Sequence, residues 1–391
     1  MREASITHDE QGAALPLAMI TLSLLATLLV GLAMLTATEP LIASNQLLSA
    51  QAQSLAEAGV ERALWAVQRP QADTGIPRTL STPAPAPYDG SQLVPLSPID
   101  LPNGGFRLTI LPGTVSNERQ VVSVGWMPTD DPADLRPKAQ RRITATLWRV
   151  RVPAELAPCA VCTLGDLVLE ESAAVDARVD LTCGAKVGAW TSGAVSLAAT
   201  ARILGADGDD APNGSADYRS GQPAETAEAW KLGEADLAAL KRMARARGTY
   251  FQGTVVFDAA HPAPEGLIFV DSMSGAPISP TTPPEELARV ELRGGALRGW
   301  LVVAGSIEVA GDARLRGLAY AQDSFTYRGS SPGGIEGQIV AAGQRGGGAR
   351  LSRTGDGPTL AFDCAAATDG DGTVPAGWRL KPGSYREPAN F

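Results

Sequence analysis

Histidine is almost absent from this chain, which has only His8 and His261 among 391 residues. A Ser-His-Asp triad or a multi-histidine metal centre would have to rest on one of the two. Aromatic residues make up 5% of the sequence. The formal net charge is −9, and this acidic balance argues against a broad basic surface that binds nucleic acid. The sequence has no P-loop, no dinucleotide-binding fingerprint and no HExxH motif. These absences predict a protein that is not an enzyme, with no catalytic residue, no metal, no cofactor and no nucleic-acid partner.

Glycine and proline are abundant, at 42 and 29 residues. Such frequent chain-turning residues are typical of many short strands and turns. The length is enough for two or three domains. The composition therefore favours an α+β fold that is mainly β.

The N-terminal region contains a long apolar run. The 28 residues from Gln11 to Thr38 carry no charged side chain, and as a helix they would extend roughly 42 Å, beyond the roughly 30 Å of a bilayer's hydrocarbon core. A cleaved secretory signal is the alternative, but its apolar core is usually about 7–15 residues long. Arg2 and the terminal amine are the only positive charges before Arg62. The run therefore predicts a single-pass anchor with a cytoplasmic N-terminus and an exported body.

The helical pattern continues beyond this run. Leu41, Leu48 and Leu55 are seven residues apart, and a further apolar stripe follows, formed by Ala52, Ala56, Val60, Ala63, Leu64 and Val67. One helix from about Leu15 to about Gln68 would be roughly 80 Å long. We expect Pro40 to kink it, because proline removes a backbone hydrogen bond. The second half would present its apolar face to a folded domain.

A short polar leader ends at Gly12 and is followed by Ala13-Ala14-Leu15 and the apolar helix. This start resembles a type IV prepilin N-terminus, which prepilin peptidase cleaves after the glycine. The runs EQGAALPLAMITLSLL and AQAQSLAEAGVERAL are similar to the PilX N-terminal family of minor pilins, whose members carry GAAL and an AEAG-ER-L segment. The similarity covers roughly the first 70 residues.

This resemblance implies cleavage between Gly12 and Ala13, methylation of the new N-terminus and burial of the helix among those of other subunits. The implied partners are pilin or minor pilin subunits, prepilin peptidase and the bacterial inner membrane, and the implied location after assembly is a pilus or pseudopilus. Leu17 stands at the filament-core position where major pilins have a glutamate that pairs with a neighbour's terminal amine. The K-type minor pseudopilin of type II secretion similarly lacks that glutamate and lies at the filament tip. The resemblance thus implies a subunit at the tip of a type IV pilus or a related secretion filament.

The exported body begins with a segment rich in proline, predicted as a linker over residues 70–104. Three alternating runs follow, at Phe106–Leu111, Arg119–Trp126 and Arg142–Val152. We expect residues 105–152 to form an antiparallel meander that packs on the amphipathic half of the helix. The helix itself is predicted over residues 13–69, and it follows a leader at residues 1–12.

The remainder of the chain contains strand-like runs opened by glycines at regular spacing. Gly299, Gly317 and Gly337 are 18 and 20 residues apart, and Gly165 and Gly184 are 19 apart. This spacing predicts parallel β-solenoid coils over residues 153–205 and 253–363, with a β-sandwich as the alternative. A polar insertion is expected at 206–252, with a short helix from Glu234 to Arg247 that ends at Gly248. Residues 364–391 are predicted as a C-terminal tail.

The four cysteines are candidates for structural disulfides in an exported body: Cys159, Cys162, Cys183 and Cys364. Cys159-Ala-Val-Cys162 lacks the second CxxC or the histidine that a zinc site needs. We expect Cys159 or Cys162 to pair with Cys183, and Cys364 to hold the tail.

Acidic residues raise two weaker hypotheses. The clusters at Asp207, Asp209 and Asp210 and at Asp369 and Asp371 could bind calcium, but they lack the EF-hand register and are better explained as turns. Paired carboxylates of a solenoid enzyme would be sought among Glu170, Glu171, Asp176 and Asp180. The alternative function is accordingly a membrane-anchored β-solenoid that binds or degrades carbohydrate.

Overall fold

The computed structural model describes residues 14–69, 71–77, 80–93, 104–115, 117–129, 138–206, 211–374 and 377–387. These residues form a mixed structure of helix and sheet that consists mainly of strands. The α-helices are α1 Ala14–Gln68, α2 Gln71–Thr74, α3 Pro153–Leu156, α4 Glu234–Arg247 and α5 Cys364–Asp369. Two 3₁₀ turns cover Ala224–Ala229 and Pro284–Glu286.

The strands, in chain order, are β1 Asp89–Leu93, β2 Gly105–Pro112, β3 Glu118–Met127, β4 Ala139–Trp148, β5 Cys159–Thr163, β6 Leu167–Glu171, β7 Ala174–Asp176, β8 Val187–Thr191, β9 Val195–Leu197, β10 Arg202–Leu204, β11 Tyr218–Arg219, β12 Tyr250–Gln252, β13 Thr254–Asp258, β14 Gly266–Asp271, β15 Ala288–Arg293, β16 Ala296–Val303, β17 Gly305–Gly311, β18 Arg314–Ala321, β19 Phe325–Ser330, β20 Gly334–Ala341, β21 Ala349–Thr354, β22 Leu360–Ala361 and β23 Arg379–Leu380. The chain divides into two compact units. The first contains the described residues up to Trp148 together with those from Trp378 onward, and the second runs from Arg149 to Gly377.

In the first unit, α1 runs unbroken for 55 residues and passes through Pro40. The helical prediction is confirmed, and Pro40 does not divide the helix into two. One face of its second half is buried, at Ala52, Leu55, Ala56, Val60, Ala63 and Ala66. This is the predicted apolar stripe, with Leu64 and Val67 partly buried beside it. The apolar pattern in the sequence therefore identifies the face of α1 that covers the first sheet.

The first sheet is antiparallel, with the strand order β1-β2-β3-β4-β23. Alternate side chains face α1, such as Phe106 and Leu108 of β2 and Ile143 and Leu147 of β4. The expected meander is confirmed at β2, β3 and β4. The third predicted strand is shorter than expected, because β4 ends at Trp148 and the chain reaches Pro153 and α3 five residues later.

Two regions differ from the predicted domain boundaries. β1 lies inside the segment 70–104 that was expected to be a linker, and it pairs with β2. The C-terminal tail is divided between the units: α5 belongs to the second unit, whereas β23 pairs with β4. The indole of Trp378 packs into the core between α1 and the first sheet. Pairing of β23 with β4, more than 200 positions away, leaves no local pattern in the sequence, which is why the division of the tail was not predicted.

Two glycines allow α1 to lie close to the first sheet. A Cβ atom at Gly125 of β3 would lie 2.3 Å from the carbonyl oxygen of Ala52 and 2.5 Å from the amide nitrogen of Ala56. A Cβ atom at Gly59 of α1 would lie 2.0 Å from Oγ of Ser123. Because the backbone of α1 fills the space at Gly125 and the side chain of Ser123 fills the space at Gly59, the sheet can approach the helix only where a side chain is missing.

Replacing Gly125 by alanine should therefore lower the stability of the first unit by about 1–3 kcal/mol, through overpacking against the backbone of α1. Calorimetry of the detergent-solubilised full chain would show this as a lower melting temperature. Gly31→Ala is the control, because a Cβ atom at Gly31 has nothing within 4 Å. Equal melting temperatures for Gly125→Ala and the wild type would contradict the close packing.

The second unit contains two sheets in which every pairing is parallel. The larger sheet has the path β10-β7-β22-β20-β18-β16-β14-β12, with β5, β8 and β11 joined beside β20. The smaller sheet has the order β13-β15-β17-β19-β21-β6-β9. From β14 to β21 the chain alternates between the two sheets, so each strand pairs with the one two positions later. The inner faces enclose one core that includes Leu301, Val303, Ile307, Val309 and Phe325.

The stacking order does not follow the chain order. Beyond β20 the larger sheet branches, because β20 pairs with both β22 and β5. Val161 of β5 pairs with Ile339 of β20. In the smaller sheet β6 follows β21 in the same way. The strands of residues 153–205 therefore stack on the last strands of the unit rather than ahead of β12.

Gly266, Gly299, Gly317 and Gly337 lie side by side on four neighbouring strands and form a glycine ladder. Their φ angles are +93°, +125°, +146° and +135°, a region that residues with a Cβ atom rarely adopt. A Cβ atom at Gly317 would lie 1.7 Å from the carbonyl oxygen of Gly299. The spacing of Gly299, Gly317 and Gly337 thus reflects real structural repeats. Gly165 and Gly184 lie outside this ladder.

The ladder separates two environments along each strand. After it, residues are buried on both faces: Trp300 donates its indole N–H to the carbonyl of Ala367 in α5, 3.1 Å away, and the Tyr320 hydroxyl accepts from the amide of Leu232. Before it, Ala296 and Arg298 have exposed outer faces. The predicted helix Glu234–Arg247 is confirmed as α4, and Gly248 ends it with a φ of +73°.

Candidate functional site

The first part of α1 is an apolar surface with no partner among the described residues. Leu15–Met34 is a stretch of 20 residues, none of it buried. Leu15, Met19 and Leu22 are each at least 70% exposed. A 20-residue helix is about 30 Å long, which matches the hydrocarbon core of a bilayer. By length and composition, this segment is a candidate membrane anchor or signal.

The few polar side chains of this segment bond within the helix. The hydroxyl of Thr21 donates to the carbonyl of Leu17 at 3.0 Å, and that of Thr27 donates to the carbonyl of Ser23 at 3.0 Å. The hydroxyl of Ser23 bonds to the carbonyl of Ile20 at 2.9 Å. Because these donors are satisfied within the helix, none requires water. The segment is therefore compatible with lipid or with the apolar side chains of other helices.

The predicted cleavage residues Gly12 and Ala13 lie outside the described residues. Leu17 lies within the apolar segment and is 66% exposed. No carboxylate interrupts this surface, since the first acidic residue after the leader is Glu39.

The second half of α1 is held by the C-terminal residues of the first unit. The side-chain amide of Gln68 donates to the carbonyl of Trp378 at 2.9 Å. The hydroxyl of Tyr385 donates to Oε1 of Glu57 at 3.2 Å, and burial followed by the Glu57 hydrogen bond raises the pKa of Tyr385. These contacts span more than 300 residues of sequence, and no pattern in the sequence predicted them. They attach the second half of α1 to the C-terminal residues of the first unit.

The candidate carboxylates Glu170, Glu171 and Asp176 of the second unit each contact a different polar side chain. Glu170 forms an ion pair with Arg350 at 2.8 Å, and Glu171 accepts from the hydroxyl of Ser352 at 2.9 Å. Asp176 binds the guanidinium of Arg178 at 3.0 Å. Each carboxylate therefore has a separate structural partner.

Two of these groups are also held in their ionised form. Burial opposes ionisation of Asp176, but hydrogen bonds from Arg178 outweigh it and lower its pKa. Burial likewise opposes ionisation of Asp180, while bonds from Thr182 and from the amide of Cys364 lower its pKa. A general acid needs a raised pKa. Neither group is suited to that role at neutral pH.

The four cysteines form two disulfide bridges, Cys159–Cys162 and Cys183–Cys364. The expected pairing of Cys183 with Cys159 or Cys162 is wrong. Cys159 and Cys162 begin and nearly complete the same buried strand, β5. Cys364 opens α5, and its amide donates to Oδ2 of Asp180 at 2.8 Å, which places it beside the loop of Cys183. Sequence spacing alone does not show this proximity, because the two cysteines are 181 residues apart.

The weaker candidates also have structural partners. Oδ1 of Asp369 accepts from the amide of Gly372, and Asp371 pairs with Arg316. Residues 207–210 lie outside the described part of the chain. On α4, Lys241 bonds to the carbonyl of Gly275 and pairs with Asp271. This lysine is therefore held by partners within the fold.

No protein-family model and no curated protein matches the chain. Among solved structures, the competence-associated pilin ComZ from Thermus thermophilus is 11% identical, with a TM-score of 0.27; the match covers 87% of this chain and 97% of that one. An ice-binding protein from the Antarctic ascomycete Antarctomyces psychrotrophicus is 8% identical, with a TM-score of 0.21, covering 56% of this chain and 98% of that one. Both TM-scores are too low to establish a shared fold. One structural neighbour of this chain is a pilin. Because no family model matches, membership of the PilX N-terminal family stays a prediction.

Proposed function

We propose that this chain is a non-enzymatic, membrane-anchored, minor pilin-like subunit of a type IV pilus or a related secretion filament. In this proposal prepilin peptidase removes residues 1–12, and α1 moves from the bilayer into a bundle formed with the helices of other subunits. The second unit, which we interpret as a β-solenoid because the chain alternates between two parallel sheets, is the exported body.

One observation carries the proposal: α1 is a single helix with two different environments. Its second half is packed on the first sheet, whereas none of the Leu15–Met34 segment is buried. An exposed apolar surface of this size is unfavourable in water and requires lipid or protein around it. Because the helix is continuous, whatever surrounds the first half is rigidly connected to the folded domain.

Leu17 supports a position at the tip. In the proposed filament, a glutamate at this position would pair with the terminal amine of a neighbour. Leu17 leaves the segment without a carboxylate from Leu15 to Met34. A subunit that lacks this ion pair is best suited to the one place where no subunit lies above it.

Cleavage is the direct test. Expressed together with prepilin peptidase, the chain should acquire a new N-terminus at Ala13, which N-terminal sequencing would detect. Without the peptidase it should keep Met1 and remain in the membrane. An end beyond Met34 in either case would show a removed secretory signal and would overturn the proposal, and an intact Met1 in both would favour an uncut anchor.

Anchoring gives a second, independent prediction. The double variant Leu24→Arg and Leu28→Arg should reduce the carbonate-resistant membrane fraction, because each arginine costs about 2.5–3.5 kcal/mol at the centre of a membrane helix. Val179→Arg, at a 63% exposed apolar residue of the second unit, is the control and should not change the fractionation. Membrane retention equal to the wild type in the double variant would contradict an anchoring role for this segment.

A further inference from the structure

The second unit has a groove on the outer face of the strands that carry the glycine ladder. It has a volume of about 550 Å³ and crosses β16, β18 and β20 on the side that precedes the ladder. Small residues at Ala296, Gly334 and Ala361 leave its floor open. Three neighbouring strands are separated by two spacings of about 4.8 Å, so the groove is roughly 10 Å long across the strands. This is enough for a small ligand or a short piece of a polymer.

Arginine dominates the lining, and we call this feature the arginine groove. Its four arginines are Arg298, Arg314, Arg316 and Arg353, and its acidic residues are Glu265 and Glu336. Among the described residues that line the groove none is aromatic, so a flat stacking platform for a neutral sugar ring is not present there. Recognition in this groove would have to depend on charge and hydrogen bonds.

Two of the arginines are neutralised. Arg316 pairs with Glu336, with Asp363 at 2.9 Å and with Asp371 at 2.6 Å. Arg298 lies 3.6 Å from the same carboxylate of Asp371. The hydrogen bond from Arg316 lowers the pKa of Asp371. This cluster is saturated with partners and is best explained as structural.

The other two arginines have no carboxylate partner among the described residues. Arg353 is only 3% exposed. Its guanidinium donates to the carbonyl oxygens of Gly333 and Pro358 at 2.8 Å and of Asp356 at 2.9 Å. These oxygens fix the guanidinium but do not neutralise it. The guanidinium also lies beside Tyr327, where burial raises the pKa of the phenol and the charge and hydrogen bond of Arg353 oppose that rise. A buried cation without a counter-ion is costly, and its field is strong because little water screens it.

Arg314 adds a second cation at the exposed rim. Its side chain is exposed and forms no ion pair with a described residue. Arg353 is therefore a fixed, buried cation of the groove and Arg314 a flexible one. A fixed cation favours anion binding because little ordering is needed on association, and arginine binds oxyanions in a bidentate manner.

We propose that the arginine groove binds an oxyanion, either a carboxylate or a sulfate group, through the exposed Arg314, and that the buried charge of Arg353 attracts the anion to this end of the groove. Two sources can supply such a group: an acidic oligosaccharide and a free inorganic anion. This inference concerns the second unit alone and does not depend on the function proposed for α1.

Isothermal titration calorimetry of the full chain in detergent tests the proposal, with tetragalacturonate and sodium sulfate as probes and sodium chloride at equal ionic strength as the blank. We expect saturable binding of at least one probe, weakened about tenfold or more by Arg314→Gln, since a hydrogen bond to a charged group contributes enough for that change. The tighter probe identifies the source of the anion. Arg314 is exposed, so this variant should fold normally.

Arg350→Gln is the matched control. Arg350 lies on β21, three residues before Arg353, but points to Glu170 and does not line the groove. Its variant should bind the probe as the wild type does. Equal affinity of the wild type and Arg314→Gln, equal losses in both variants, or the absence of saturable binding with either probe would each overturn the proposal.

Discussion

Gly317→Ala is expected to lower the free energy of unfolding of the second unit by about 4 kcal/mol, because the substitution both overpacks against fixed backbone and strains a special φ angle. The new methyl group would lie 1.7 Å from the carbonyl oxygen of Gly299, and the residue would keep a φ of +146° that alanine rarely adopts. Neither neighbour can move alone, because Gly299 and Gly337 are bonded into the same parallel sheet. Calorimetry should show a large drop in the unfolding temperature of this unit.

Gly295→Ala separates the two causes. Gly295 also has a left-handed φ, of +75°, but a Cβ atom there has nothing within 4 Å. Gly295→Ala should lower the free energy of unfolding only by the cost of a left-handed backbone conformation at alanine, about 1–2 kcal/mol. If the two variants were equally destabilised, steric contact within the ladder would not be the reason for its glycines.

Removal of the Cys183–Cys364 bridge has the second largest expected effect. The double variant Cys183→Ala and Cys364→Ala should lose about 2–5 kcal/mol, because the bridge restricts a long loop of the unfolded chain. Its sequence separation is 181 residues. The loss should be concentrated at α5, which begins at Cys364 and accepts the indole N–H of Trp300. Hydrogen exchange should therefore increase first in Cys364–Asp369.

The second disulfide bridge provides the comparison. Cys159 and Cys162 are three residues apart, so the loop that they close contributes little entropy. The double variant Cys159→Ala and Cys162→Ala should lower stability less and should leave hydrogen exchange at α5 unchanged. A larger loss from this pair than from Cys183 and Cys364 would show that packing in β5, rather than chain restriction, determines the effect of the bridges.

Local patterns in the sequence predicted the elements that depend on local periodicity. The buried stripe of α1, the strands β2 and β3, and α4 with Gly248 all follow from spacing that any window of 10–15 residues contains. Gly299, Gly317 and Gly337 were recognised for a similar reason, because each repeat brings the same backbone position to the same place.

Features that depend on distant pairing were not predictable. Cys183 meets Cys364, β23 completes the first sheet, and β5 pairs with β20, each across well over 100 residues. The arginine groove was missed for the same reason, because Arg298, Arg314 and Arg353 converge only when separate strands stack. In the sequence, each is one charge among 33 basic residues.

The stacking order of the second unit has a consequence for biogenesis. β5, β6 and β7 leave the ribosome early, but the strands that cover one edge of each, β20, β21 and β22, follow more than 150 residues later. In the first unit, Trp378 and β23 likewise follow β4 by more than 200 residues. Neither unit can be completed until its distant strands have been synthesised. The edges of β5, β6 and β7 therefore stay open during synthesis until these later segments are present.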